Sequence, residues 1–403
     1  MDKGGKAIFF SHGGKTKQVT EELGCELVKL GKLPWSKVNE DLKNKGKFDK
    51  TPYEELLFAV YKKDFIKPFV EEEIEAFKNA GVDLIISSFN PTASISARAL
   101  NIPLIVINSG TAIPPYYRQG PVTFPDNYEN VFTRILPKFI KNLITRWMLL
   151  NNKLMVKDFN KVAEKYGVKP FKNINDILNG DYTFVCDDIN FLGIKPTKEF
   201  PMENFVGPIS GGLLEKQKDT IDEDIKRHLN RPGKSILLMM GSNRNKKLYL
   251  NILEALNQTN YNVIAVYTTI KEDELPETKD NILLKKFIKS PKLVNKMVDL
   301  AIIHGGRGTV YTAAYAGKPI IGLPMYCEHQ YNIDNMVNKG AGLRISKRFF
   351  KQEDLLKAID TIFSNYETYL KNAQNLSKKL TTVPGEEKAA QRLFEIIEEK
   401  IAK

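Results

Sequence analysis

Cysteine is scarce in this chain, and the little there is does not cluster. Cys25, Cys186 and Cys327 are the three among 403 residues. They lie far apart in no metal-ligand spacing, which argues against a disulfide framework and for reduced thiols. No apolar run approaches the ~20 residues that span a bilayer. Met1-Asp2-Lys3-Gly4-Gly5-Lys6 leads straight into Ala7-Ile8-Phe9-Phe10, too short for a signal-peptide core, so the expected location is cytoplasmic. Low-complexity tracts and repeats at solenoid periods are also missing. Negative charge is short: 48 Asp and Glu face 60 Lys and Arg, a net charge of +12. A basic chain invites a nucleic-acid partner, but no aromatic-basic platform or binding motif accompanies the charge, so none is expected.

The excess charge is uneven. Between Arg134 and Lys172, ten Lys and Arg stand against Asp158 and Glu164. The same stretch carries Leu136, Ile140, Leu143, Trp147, Leu150 and Leu154 at spacings of three and four. Two readings are open for a basic amphipathic helix over 134–165: a peripheral contact with an anionic membrane surface, or a solvated helix packed on its own domain.

What is present in quantity is ordinary for a soluble globular protein, 42% hydrophobic and 27% charged residues, with chain enough for two or three domains. Two blocks of alternating strand and helix are legible. The second predicts strands at 235–240, 261–268, 281–287, 300–304, 319–323 and 342–345. The first predicts strands at 7–10, 83–87, 104–107 and 182–185, a helix over 18–30, and no convincing strand between Gly31 and Lys50. Such alternation implies α/β architecture, with parallel sheets wrapped on both faces and ligands at the carboxyl ends of the strands.

One array stands at such an end. Leu300-Ala301-Ile302-Ile303 runs into His304-Gly305-Gly306-Arg307-Gly308-Thr309, then Gly317-Lys318-Pro319, Pro324, Glu328-His329 and Asn332. A strand that ends in His-Gly-Gly and opens a helix delivers unobstructed backbone N–H groups to the positive end of a helix dipole, which suits a phosphate or diphosphate. Ser242, with Asn243 and Arg244 beside it, ends the first strand of the same block after Gly241 and can complete that anion site.

These residues resemble the donor-binding signature of family 1 inverting glycosyltransferases, the UDP-glycosyltransferase-like proteins. Val206-Gly207-Pro208, Met239-Met240-Gly241-Ser242 and Phe287 to Pro291 extend the likeness. The resemblance implies a GT-B fold: two Rossmann-like domains whose parallel sheets face each other across a cleft. The N-terminal, acceptor-binding domain would cover 1–207, abbreviated near 31–50, with a final helix over 386–403 packing back on it. Residues 208–232 would form the linker and 233–385 the nucleotide-sugar domain.

The implied reaction moves a sugar from a UDP- or TDP-sugar to a hydroxyl of a small apolar acceptor, or of a lipid or sterol, without a cofactor. His12, after the first strand, would be the base that deprotonates the acceptor. Gly241, Ser242, Asn243, Phe287, Ile288, His304, Gly305, Gly306, Arg307, Gly308, Thr309 and Thr312 would hold the nucleotide diphosphate. Glu328 and His329 would orient the sugar. Three positions depart from the family pattern. Ser87-Ser88-Phe89-Asn90 lacks the Asp that orients the base, Thr312 replaces a ribose-binding Glu, and His329 replaces a Gln. Asp187 and Asp188 are alternative partners for the base. A catalytically idle nucleotide-sugar-binding scaffold stays open as a rival. Asp222-Glu223-Asp224 imitates the Asp-x-Asp metal motif of another glycosyltransferase fold, but lies in the charged linker and reads as a solvated run. No metal is expected.

Overall fold

The computed structural model describes residues 5–11, 20–31, 63–88, 90–153, 156–209, 220–241, 245–268 and 270–401. Contacts divide the chain into two compact units. One holds the described residues of Met1–Asn108 and Leu150–Phe184, the other Ser109–Leu149 and Val185–Lys403. The expected boundary at 208–232 falls inside the second unit, as does the final helix, Gly385–Ile401.

In the first unit, β1 (Ile8–Ser11) pairs in parallel with β2 (Glu26–Lys29). The helix predicted over 18–30 is therefore wrong at its end. Gly24 adopts φ +63°, which stops a right-handed helix. Beyond it, Glu26-Leu27-Val28-Lys29 follows the strand's path. A second sheet has the order β3 (Ile85–Ser88), β4 (Leu104–Asn108), β5 (Tyr182–Val185). Helix Lys63–Ala80 supplies Ile66 and Val70 to a core with Ile95, Phe159, Val162 and Phe171.

The second unit is built on β6 (Ser235–Met239), β7 (Asn262–Val266), β8 (Ile282–Lys285), β9 (Leu300–Ile303), β10 (Ile320–Gly322) and β11 (Gly342–Arg344). All six predicted strands form, each trimmed at one or both ends. The sheet is parallel throughout, in the order β11-β10-β9-β6-β7-β8. Counted within this unit that is the order 3-2-1-4-5-6 of a doubly wound dinucleotide-binding fold, whose crevice opens where β6 meets β9.

Burial on both faces explains the uninterrupted apolar strands. Ile236 and Leu238 face one layer, with Ile252, Leu256 and Ile359, whereas Leu237 and Met239 face the other, with Val294 and Val298. Ile225, in the stretch read as linker, joins that second layer from helix Glu223–Leu229. The acidic run is not free in solvent either. Asp222 pairs with Lys285 and Lys289, and Asp224 with Lys285.

Residues 109–149 pack within this second unit. Tyr116 donates its hydroxyl to Asn335 Oδ1 at 3.0 Å, and Thr123 donates to Asp334 at 2.5 Å. The Pro114-Pro115-Tyr116-Tyr117 segment is buried, so core packing accounts for these residues. The single helix read over 134–165 is three: Val131–Ile135, Lys138–Asn151 and Val156–Ala163. Leu136 precedes Pro137, whose ring disfavours helical backbone at the residue before it.

Candidate functional site

β6 and β9 are neighbours in register, with Met239 opposite Ile303. Their next residues therefore emerge side by side at the carboxyl edge, Met240-Gly241 from one strand and His304-Gly305-Gly306 from the other. The His304 imidazole lies across this edge. A Cβ on Gly241 would stand 2.6 Å from the ring, and one on Gly306 would stand 2.5 Å from its Nε2. Two glycines from two strands thus give the ring its place, which is a stronger reason for them than turn geometry alone. Gly305 is needed on other grounds: its φ is +92°, and a Cβ there would meet the His329 carbonyl oxygen at 2.5 Å.

The His304 ring bonds the Met239 carbonyl, while its Nδ1 has no hydrogen-bond partner. Burial lowers its pKa, the Met239 bond opposing that shift, so near neutral pH the ring is uncharged. One nitrogen is held by the backbone, and the other is buried without a protein partner.

Gly306 caps the ten-residue helix Arg307–Ala316 without a side-chain cap. The first-turn N–H groups therefore face the same edge with the helix dipole behind them. Gly308 is exposed, with nothing within 4 Å of the position its Cβ would take. The Thr309 hydroxyl donates to the Gly306 carbonyl at 2.8 Å, fixing the turn, and Thr312 donates to the Thr309 carbonyl at 2.9 Å. Asn332, buried, braces the other side by donating to the Gly305 carbonyl at 3.1 Å. It sits in the motif, but nothing in its spacing indicated that role.

Three predicted ligand-facing side chains are placed differently. Arg307 turns to the Cys186 carbonyl and thiol, with Asp187 and Glu328 nearby; two carboxylates attract a buried guanidinium more strongly than an open edge does. His329 is 6% exposed, stacked on Tyr326 at 3.7 Å between centroids and edge-on to His304 at 4.8 Å. Burial, then His304 and Lys347, push its pKa down to about 2. Ile288 belongs to the core, whereas Phe287 is exposed. Glu328 lies in the first turn of helix Cys327–Asn338. Burial raises its pKa, and Arg307 opposes the shift. The Ser109 hydroxyl also bonds it, a contact that no sequence signal announced.

Asp187 and Asp188 have partners of their own. Asp187 accepts from the Gly110 N–H at 2.6 Å and from Tyr311. Asp188 caps helix Ile189–Leu192 and accepts from the Thr381 N–H at 2.7 Å. Asn90, in the loop that lacks the expected Asp, donates to the buried Glu73 at 2.8 Å. His12, Ser242, Asn243 and Arg244 lie outside the described residues. The described residues contain no group of three or more His, Cys, Asp or Glu that could hold a metal ion.

Comparison with known proteins agrees with this geometry. Residues 67–384 match the family model described as UDP-glucoronosyl and UDP-glucosyl transferase. Human 2-hydroxyacylsphingosine 1-beta-galactosyltransferase is 22% identical over 327 residues, 77% of this chain and 58% of that protein. Human UDP-glucuronosyltransferase 2B10 is 24% identical over 349 residues, 81% of this chain and 63% of that one. The chain thus spans about three-fifths of the length of these curated relatives. Among solved structures, the calicheamicin glycosyltransferase CalG4 superposes with a TM-score of 0.66 at 15% identity, covering 100% of this chain and 93% of its own. The spinosyn rhamnosyltransferase SpnG gives 0.64 at 13%, covering 98% and 93%. The fold is that of the GT-B glycosyltransferases, and by the extent of the family match the chain belongs to the UDP-glucuronosyl and UDP-glucosyl transferase family.

Proposed function

We propose that the chain transfers a sugar from a nucleotide-diphosphate sugar, UDP- or TDP-linked, to an acceptor hydroxyl, with inversion. The observation that carries this reading is the His304 imidazole lying across the β6–β9 carboxyl edge, beside the uncapped start of helix Arg307–Ala316. Backbone N–H groups and an imidazole there can take up the charge that develops on a leaving diphosphate without a metal. Arg307 contributes indirectly, through the field of its charge on Glu328 and Asp187. Glu328, at the start of the next helix, is the remaining group for a sugar hydroxyl, and His12 is the base for the acceptor. General-base assistance is worth ~10²–10⁴-fold.

A lipid acceptor is the second reading. It is favoured by the match to a galactosyltransferase whose name specifies a hydroxyacylsphingosine.

Release of UDP or TDP from a panel of sugar nucleotides, with and without acceptor mixtures, tests the proposal. His12→Ala should abolish most turnover and leave nucleotide affinity nearly unchanged. Equal loss of both would refute its assignment as base, and nucleotide binding without turnover on any acceptor would favour a scaffold.

A further inference from the structure

Amphipathic helices on a globular protein ordinarily turn their apolar stripe inward. Helix Lys138–Asn151 does the reverse. Its inward side is polar: Thr145 is buried, and Asn142 accepts from the Phe124 N–H at 3.0 Å. Lys141 pairs with Glu129 at 2.5 Å, both largely covered. Arg146 donates to the carbonyls of Tyr117, Arg118 and Gly120 at 2.7, 2.9 and 2.6 Å. The outward side is apolar, with Phe139 71%, Leu143 65% and Trp147 66% exposed. The preceding short helix extends this ridge with Phe132, 81% exposed, and Ile135, 78% exposed.

Phe132, Ile135, Phe139 and Leu143 thus face water rather than the interior of their own unit. A water-exposed run of this kind indicates an interaction surface.

Charge identifies the partner. From Asn130 to Asn152 the sequence carries Arg134, Lys138, Lys141 and Arg146 and no acidic residue. Arg134 and Lys138 are exposed among the apolar side chains. Arg348, also exposed, lies with Arg134 against the Phe349 ring. Large apolar side chains bordered by cations of one sign match the headgroup layer of an anionic membrane, where rings enter the acyl boundary and cations meet lipid phosphates and carboxylates. We infer that the ridge Val131 to Met148 docks the protein peripherally on an anionic lipid surface. The polar inward face meanwhile holds the helix to its unit without help from the apolar one. The inference is independent of the donor site and of the acceptor's identity.

Vesicle co-sedimentation of the full chain tests it, using phosphatidylcholine with and without phosphatidylserine. Trp35 and Trp147 are the two tryptophans, so Trp35→Phe leaves Trp147 as sole reporter. The expected result is sedimentation with the anionic vesicles, a blue shift of Trp147 emission on binding, and release by salt. Arg134→Gln and Lys138→Gln should each weaken partitioning about fivefold. The triple variant Phe132→Ser, Phe139→Ser, Leu143→Ser should lose sedimentation while keeping the wild-type unfolding midpoint. Three results would overturn the inference. One is no binding to anionic vesicles. Another is binding that survives the triple variant. The third is a Trp147 emission already blue-shifted without lipid, together with a self-association that the triple variant abolishes, which would assign the ridge to a second copy.

Discussion

At the residue scale, His304 at the β6–β9 edge and the buried His329 in contact with it pull against acid. His329, depressed to about 2, is neutral in the folded chain throughout the working range. Its unfolded value lies near ~6.5, so below that pH the unfolded chain takes up a proton that the folded one refuses, and stability falls as pH drops. Between pH 6.5 and 5 the loss from this one group is about 2 kcal/mol. Asp334, raised to about 6 by burial, acts in the opposite direction over part of that range, since its folded form takes the proton first. The informative quantity is therefore a difference. His329→Phe keeps a ring on Tyr326 and should flatten the acid limb of the unfolding curve relative to wild type, read by denaturant titrations at several pH values. Parallel curves would mean that His329 is protonated in the fold.

The same scale shows what a motif can and cannot convey. The strand-to-helix turn at Gly305 and Gly306 is legible because the conformational freedom of glycine is a local property. The turning of Arg307 toward Cys186 and Asp187 depends on residues more than a hundred positions away. So does the Ser109 bond to Glu328. Spacing alone carries no information about either.

At the element scale, strand periodicity read well wherever both faces of a strand were buried, as in β6, β7 and β9. It failed at β2, where a short pleated run follows a helix-stopping glycine. It misled over 134–165 for a different reason. Apolar residues at spacings of three and four reveal a helix with an apolar side but not which way that side faces. The outward ridge makes a paired prediction on stability. Arg146→Ala removes the donor to three carbonyls and should cost about 1–3 kcal/mol. Phe139→Ser, on the same helix, should stay within about 0.5 kcal/mol of wild type. Denaturant unfolding of both compares them directly; a larger loss from Phe139→Ser would show that its face is covered.

At the scale of the whole molecule, the order β11-β10-β9-β6-β7-β8 alone locates a ligand crevice, and the one sequence array that reads as a phosphate site ends on its two central strands. Topology and motif reach that place by separate arguments. The second unit gathers the β6–β9 edge with residues 109–128, which the sequence assigned to the first domain. That exchange was invisible in the sequence because it rests on Tyr116–Asn335 and Thr123–Asp334, bonds between segments some two hundred residues apart. The central claim is that the β6–β9 edge binds a nucleoside diphosphate through His304. Calorimetric titration of the full chain with UDP, TDP and GDP, repeated on His304→Ala, tests it most directly. One nucleotide should bind more tightly than the others. The variant should lose roughly ten- to a hundredfold in affinity, as expected for a hydrogen bond to a charged group, while remaining folded at the titration temperature. No binding of any of the three at millimolar concentration, or equal affinity in the variant, would contradict the account.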